Sequence, residues 1–140
     1  MGLIVIENNL IELVPSINNW GAPVGVQFYQ IKDTGSQYII RRAVIRNNVI
    51  RFADGASDPL QFALGIRLWN CESAIVEDNV VDLGAPNPIR HYNSKSVKYF
   101  NNRTSSGALL QGAEEDIALQ VIRILPELTN DIEDELLLSV

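Results

Sequence analysis

The sequence contains few of the residue types on which small proteins often build chemical sites. Among its 140 residues there are one cysteine, one histidine and one methionine. The single cysteine, Cys71, cannot form an internal disulfide, so a disulfide-stapled fold is excluded, and we expect a structural thiol at a strand bend. The sequence also lacks the Cys/His spacing of a zinc site. No metal or cofactor is therefore expected.

Long apolar runs and basic clusters are also missing. No segment is apolar over the roughly 20 residues that a membrane-spanning helix needs. Residues 1–9 lack the basic region and cleavage site of a signal peptide, so the compartment is unassigned. Lys and Arg number 11 against 17 Asp and Glu, and no basic stripe reaches the density that nucleic-acid binding requires. Neither a membrane nor a nucleic acid is expected as a partner.

What the sequence does contain is a repeat. Four segments align on one asparagine, namely 4–13, 43–52, 74–83 and, more weakly, 97–106. The aligned asparagines are Asn9, Asn48, Asn79 and Asn102, separated by 39, 31 and 23 residues. A second short element recurs at 25–28, 65–68 and 88–91, with a fading copy at 107–110. Unequal spacing predicts insertions of different length between strands that repeat in phase.

Apolar residues alternate within each copy, which is typical of strands that bury one face. The predicted inward residues are Ile4, Ile6, Ile11, Leu13, Ala43, Ile45, Ile50, Phe52, Ala74, Val76, Val81, Leu83, Val97 and Tyr99. The four asparagines are predicted to stack at one bend. Hydrogen bonds along such a ladder satisfy amide groups that would otherwise be buried without partners.

This pattern resembles the right-handed parallel β-helix family, the fold of pectate lyase-like enzymes and phage tailspikes, over residues 3–112. The resemblance implies an all-β fold: a short right-handed parallel β-helix, a solenoid of about 4–5 turns, over residues 1–112. It implies no single function, because this fold hosts lyases, hydrolases, epimerases, adhesins and inert stalks.

The last segment differs from the rest in charge. Residues 113–140 hold 8 acidic residues and 1 basic residue, a net charge of −7, whereas residues 1–112 have a net charge of +1. Apolar residues at helical spacing, a break at Pro126 and a capping box from Asn130 to Glu133 predict an acidic helical tail. The tail is expected to cap the last turn. A homo-oligomer formed through the tail or through an open solenoid end is the alternative.

Loops that leave the repeat at one position form the candidate binding face. Residues 14–23, 53–61 and 84–87 each follow the second strand of a copy, so they should stack on one edge. Within them, Trp20, Asp54, Asp58 and Asn87 are the candidate contacts for a polysaccharide or another protein. For Trp20, packing into the loop is the alternative to a sugar platform.

Two arginines should lie side by side on the outer surface. Arg67 and Arg90 share one outward column with Gln27, at the roughly 5 Å spacing of neighbouring strands. Like charges at that distance need a neutralising partner, which an acidic glycan or the acidic tail would supply. A solvated charged face is the alternative.

Catalytic motifs of the resembled family are missing. Its lyases have clustered acidic metal ligands with a basic proton abstractor, and its pectin hydrolases carry paired aspartates and a Gly-His-Gly element. Asp54, Asp58 and His91 are weak catalytic candidates, with Asp33 a further one, and His91 fits a half-buried repeat position better. We therefore expect a non-catalytic structural or binding module. The alternative is a polysaccharide-processing lyase or glycoside hydrolase, or a fragment of one.

Overall fold

The computed structural model describes residues 2–14, 23–28, 40–58 and 61–115. These residues form thirteen strands, joined by bends and loops, and contain no helix. A helix long and apolar enough to cross a membrane is accordingly not found among them. Trp20, Asp33 and the predicted helical tail beyond Glu115 lie outside the described residues.

The strands form three sheets, which we call A, B and C. Sheet A consists of β1 (Leu3–Glu7), β4 (Ile40–Arg46), β7 (Cys71–Glu77) and β10 (Ser96–Phe100). Sheet B consists of β2 (Leu10–Leu13), β5 (Val49–Phe52), β8 (Val80–Asp82), β11 (Asn102–Arg103) and β12 (Leu109–Leu110). Sheet C consists of β3 (Val24–Phe28), β6 (Leu64–Trp69), β9 (Ile89–Tyr92) and β13 (Ala113–Glu114).

The chain visits the sheets in a fixed order. It passes from A to B to C and back to A, and each pass adds one parallel strand to each sheet. The register matches the aligned repeats, since Ile6 lies beside Ile45, Ile45 beside Val76, and Val76 beside Tyr99. The predicted all-β fold with parallel strands is therefore confirmed.

The core lies between the three sheets, and every predicted inward residue belongs to it. Inward residues of the second and third copies are buried except for Phe52, and each fully buried Ile or Leu contributes about 1.5–3 kcal/mol. Those of the first and fourth copies are half-buried. Sheet C adds Val26, Ile66, Leu68 and Ile89 to the same core.

The asparagine ladder forms at the bend between sheets A and B. The Nδ2 atoms of Asn9, Asn48 and Asn79 each donate to the Oδ1 of the next ladder asparagine, at 3.0, 3.0 and 2.9 Å. The same oxygens also accept the backbone N–H groups of these three residues, at 3.0–3.2 Å. Asn48, Asn79 and Asn102 are completely buried, yet their amide groups are satisfied.

Residues before the ladder make the sharp bend possible. Asn8, Asn47, Asp78 and Asn101 have φ angles of 60°, 54°, 55° and 52°. Asparagine and aspartate tolerate this left-handed region better than other non-glycine residues. A second bend, between sheets C and A, uses Asn70 and Asn93 in the same way, with Asn93 Nδ2 donating to Asn70 Oδ1 at 2.7 Å.

Glycine in sheet C reflects close packing against sheet B. A Cβ atom on Gly65 would lie 2.5 Å from Val81 Cγ1, and one on Gly25 would lie 2.8 Å from Ile50 Cγ2. Both distances are far shorter than real Cβ contacts, so a side chain at either position would force the two sheets apart. The glycine that recurs in the second repeat element thus marks a steric requirement of the core.

One predicted repeat copy is wrong. Residues 107–110 were expected to extend sheet C, but β12 pairs antiparallel with β11 in sheet B. The cause is a tight turn: Gly107, with a φ of 90°, donates its N–H to Thr104 O at 2.9 Å and reverses the chain. The fourth strand of sheet C is β13, which places Glu114 rather than Leu110 next to His91.

The start of the predicted helical tail is also wrong. Ala113 and Glu114 form a strand parallel to β9, because that strand offers an open edge for backbone hydrogen bonding. Glu115 continues along this edge, and its N–H donates to His91 O at 2.6 Å. Gly112 packs against the Tyr99 ring, where no side chain would fit.

We predict that Asn79→Ala destabilises the fold far more than Asn9→Ala. The first change leaves buried partners above and below without hydrogen bonds and should cost about 3 kcal/mol or more, since each orphaned buried group costs about 1–3 kcal/mol. Asn9 is exposed at the end of the ladder, so its loss should cost about 1 kcal/mol. Urea unfolding of both variants measures the difference, and equal losses would contradict the ladder's role.

Candidate functional site

An open cleft of about 660 Å³ lies at the edge where loops leave sheet B. Its walls come from residues of the β5–β6 loop, the β8–β9 loop and the β11–β12 turn. The polar lining residues are Ser57, Asp58, Gln61, Asp82, Thr104 and Ser106. Apolar lining residues include Phe52, Val81, Leu83 and Leu110. The cleft therefore lies on the predicted loop edge and combines hydrogen-bonding groups with an apolar surface.

Asp58 organises one wall of the cleft. Its Oδ2 accepts the backbone N–H groups of Phe62 and Ala63, at 2.6 and 2.7 Å. These bonds satisfy donors just before β6 and hold the end of the β5–β6 loop against the sheet. One carboxylate oxygen of Asp58 is thus committed to holding the loop.

Asp82 fixes another part of the cleft lining. Its Oδ1 accepts the N–H of Ser105 at 2.9 Å, which ties the β11–β12 turn to the end of β8. Within the turn, the Thr104 N–H donates to Ala108 O at 2.9 Å. The sequence suggests Asp82 only as a surface residue, because its approach to Ser105 depends on the chain reversal after β11.

Other predicted loop residues lie outside the cleft lining. Asp54 is exposed in the turn that precedes Gly55. Asn87 is exposed, with a φ of 50°, and its carbonyl accepts Arg90 Nε at 2.9 Å. Arg90 Nη2 donates to Pro86 O at 3.2 Å, so this guanidinium braces the β8–β9 loop.

The predicted arginine column forms on the outer face of sheet C. Arg67 lies in register with Gln27 on one side and Arg90 on the other. Glu115 accepts hydrogen bonds from Arg67 Nε at 3.1 Å and from Arg67 Nη2 at 2.5 Å. The acidic segment after the repeats thus supplies a neutralising carboxylate, one of the two expected sources.

Aromatic side chains lie beside the ion pair between Arg67 and Glu115. Trp69 Nε1 donates to Glu115 Oε2 at 2.5 Å, and the Arg67 guanidinium lies 4.6 Å from the centroid of the Trp69 ring. Tyr92 packs beside Trp69 with ring centroids 4.8 Å apart. The Glu115 side chain is fully shielded from solvent, so this carboxylate is a buried anchor for the segment that follows β13.

His91 occupies a half-buried inward position, as its place in the repeat predicts. Its Nδ1 lies 2.6 Å from the Tyr99 hydroxyl oxygen. Burial lowers the pKa of His91 below its ordinary value of 6.5, with a smaller opposing effect from Glu114. Burial also raises the pKa of Tyr99, so a neutral imidazole faces a protonated phenol at neutral pH.

Cys71 was expected to be a half-buried thiol at a strand bend, but it is fully buried. It is completely shielded from solvent, and burial raises the pKa of its thiol to about 11. A protonated, inaccessible thiol is a poor nucleophile. Across the described residues, no group of three or more His, Cys, Asp or Glu side chains is placed to hold a metal ion.

Two columns of charged residues were not predicted from the sequence, although the aligned repeats contain them. Glu7, Arg46 and Glu77 lie side by side on sheet A, and Glu12, Arg51 and Asp82 do so on sheet B. Arg46 Nε lies 2.6 Å from Glu7 Oε2, and Arg51 Nη2 lies 2.8 Å from Glu12 Oε1. Alternating charges of this kind favour the observed register over a shifted one.

Comparisons of the chain with models of protein families, with curated proteins and with solved structures found no match. Its function must therefore be inferred from its own geometry.

We predict that Glu115→Ala destabilises the protein by about 3 kcal/mol, because it leaves the half-buried Arg67 guanidinium without its carboxylate partner. Glu114→Ala is the matched control: the neighbouring side chain is exposed, and its removal should change stability by no more than about 0.5 kcal/mol. Urea unfolding at neutral pH compares the two. Similar losses would mean that Glu115 is not an anchor.

His91 should make stability depend on pH. Its pKa is about 6.5 in an unfolded chain and lower in the fold, so neutral His91 contributes fully above pH 6.5. That contribution is lost as the pH falls from about 6.5 through the lower folded-state pKa.

The measurement is the difference in unfolding free energy between the wild type and His91→Gln, followed from neutral to mildly acidic pH. The variant keeps a polar side chain near Tyr99 but does not titrate, so other groups cancel. The wild type should lose stability relative to the variant as the pH falls. A constant difference would show that protonation of His91 is not linked to folding.

Proposed function

We propose that residues 1–112 form a short right-handed parallel β-helix that acts as a non-catalytic binding module and holds a saccharide in the loop-edge cleft. The cleft between the β5–β6 loop, the β8–β9 loop and the β11–β12 turn is the observation that carries this proposal.

The order of the strands supports the β-helix. Except for β12, which turns back antiparallel onto β11, the chain returns to each sheet after passing through the other two and adds a parallel neighbour. Connections between parallel strands of one sheet are right-handed in about 98% of cases. A bend lined with stacked asparagines and an edge with variable loops also fit a coil whose turns differ only in loop length.

The chemistry of the cleft supports a saccharide. Sugar hydroxyls need both donors and acceptors, which the hydroxyls of Ser57, Thr104 and Ser106 and the amide of Gln61 supply. The C–H faces of a sugar ring need an apolar surface, and Phe52 is an aromatic residue in the described lining that could supply it. The volume of about 660 Å³ falls within the usual range of ligand sites.

The hydrogen bonds that the two carboxylates of the cleft already make favour binding without catalysis. Asp58 and Asp82 both accept backbone N–H bonds that hold the cleft walls. Carboxylate oxygens that hold a loop or turn in place through backbone hydrogen bonds are not free to transfer a proton to a substrate or to attack it. A polysaccharide-processing enzyme remains the alternative, with Asp58 and Asp82 as its carboxylates.

We expect the protein to be retained on at least one polysaccharide without cleaving it. A panel of neutral, amine-bearing and acidic polysaccharides tests this by following retention of the protein together with release of new reducing or unsaturated ends. New ends would replace the proposal with the enzyme, and Asp58→Asn and Asp82→Asn would then be tested for loss of cleavage. No retention on any polymer would overturn saccharide binding.

Two neighbouring serines give a matched test of the cleft. Ser106 lines it, whereas Ser105 is exposed on the same turn and does not. Ser106→Leu should weaken binding about tenfold, which corresponds to about 1.4 kcal/mol, because it removes a hydroxyl and fills space. Ser105→Leu keeps the backbone bond to Asp82 and should bind like the wild type. Equal affinities of the two variants would place binding elsewhere.

A further inference from the structure

The charged residues in the described lining of the cleft are all acidic. Among the described residues, two carboxylates, Asp58 and Asp82, belong to its lining, and no lysine, arginine or histidine does. The rest of the lining is hydroxyl, amide or apolar. A ligand that enters this cleft therefore meets acidic side chains in its described lining.

The charged column on sheet B explains why Asp82 has no ion pair among the described residues. Arg51 lies in register between Glu12 and Asp82 and could pair with either. Its Nε and Nη2 atoms instead both bond Glu12 Oε1, at 3.1 and 2.8 Å. Among the described residues, Asp82 has no ion pair, and its hydrogen bond is the one from the Ser105 N–H to Oδ1.

The remaining oxygen of Asp82 is thus available to a ligand. The side chain is half-buried at the cleft wall, where a charge interaction is screened less than on an open surface. A bound ammonium group next to Oδ2 would complete the alternating column as its second cation. A bound carboxylate would instead meet the like charge of Asp82.

We propose that the cleft selects amine-bearing saccharides, such as polymers of 2-amino-2-deoxy sugars, over neutral ones, and rejects uronates. In this assignment, which rests on the saccharide-binding function proposed above, Asp82 Oδ2 accepts the protonated sugar amine. Ser57, Gln61, Thr104 and Ser106 bond the ring hydroxyls.

Three tetrasaccharides with the same β-1,4 linkage test the charge preference: one of glucose, one of glucosamine and one of glucuronate. Binding to the full chain is measured by calorimetry at mildly acidic pH, where the amine of glucosamine and the carboxylate of glucuronate are both charged. We expect glucosamine to bind about fivefold tighter than glucose, the size of a favourable partly exposed ion pair, and glucuronate to bind more weakly than either. Added salt should reduce the preference.

Two variants assign the preference to a residue. Asp82→Asn keeps the acceptor for Ser105 and the shape of the side chain, and it should bring glucosamine binding close to glucose binding without weakening the latter. Asp54→Asn removes the same charge from the neighbouring loop but outside the cleft, and it should leave the preference unchanged.

The outcomes separate this inference from the proposed function. Equal binding of all three sugars, or tighter binding of glucuronate, overturns the charge selection while leaving saccharide binding in place. No binding of any sugar overturns both. A lysine-rich peptide that binds as tightly as the glucosamine oligomer, and that also responds to Asp82→Asn, would replace the saccharide with a basic protein segment.

Discussion

The fold depends on the asparagine ladder at the bend between sheets A and B. A chain that turns this sharply leaves backbone amides inside the protein, where each one costs free energy unless it is bonded. Asn48, Asn79 and Asn102 meet this requirement collectively: each side chain bonds its neighbours and a strand carbonyl. Because the bonds run between copies, the bend of one copy is stable only beside the next.

The ladder also sets the register of everything that faces outward. Once the bends coincide, residues at equal distances from them must be neighbours, which aligns the charged columns on sheets A and B. It also brings the starts of the loops to one edge, so that the cleft forms between loops far apart in sequence. The candidate site is therefore a consequence of register combined with loop conformation.

Much of the frame could be predicted because it is periodic. The ladder, the inward residues and the neighbourhood of Arg67 and Arg90 follow from aligning the copies. The reversal at Gly107, the strand at Ala113 and the bond from Ser105 to Asp82 do not, because they occur where the repeat fades and no other copy can be compared. Glu115 shows where prediction from the sequence ends. The sequence indicates that a carboxylate is needed near Arg67, but which residue supplies it depends on where β13 pairs with sheet C.

The ladder asparagines are separated by 39, 31 and 23 residues. This unequal spacing has a consequence for the engineering of loops in this fold. Chain segments of three different lengths connect equivalent bends. The length of a connection therefore does not determine how the strands that it joins are placed. Because loop-closure entropy grows only slowly with length, connections between strands could be exchanged for others of different length. Such exchanges would change the exposed connections of the molecule while its interior stays the same.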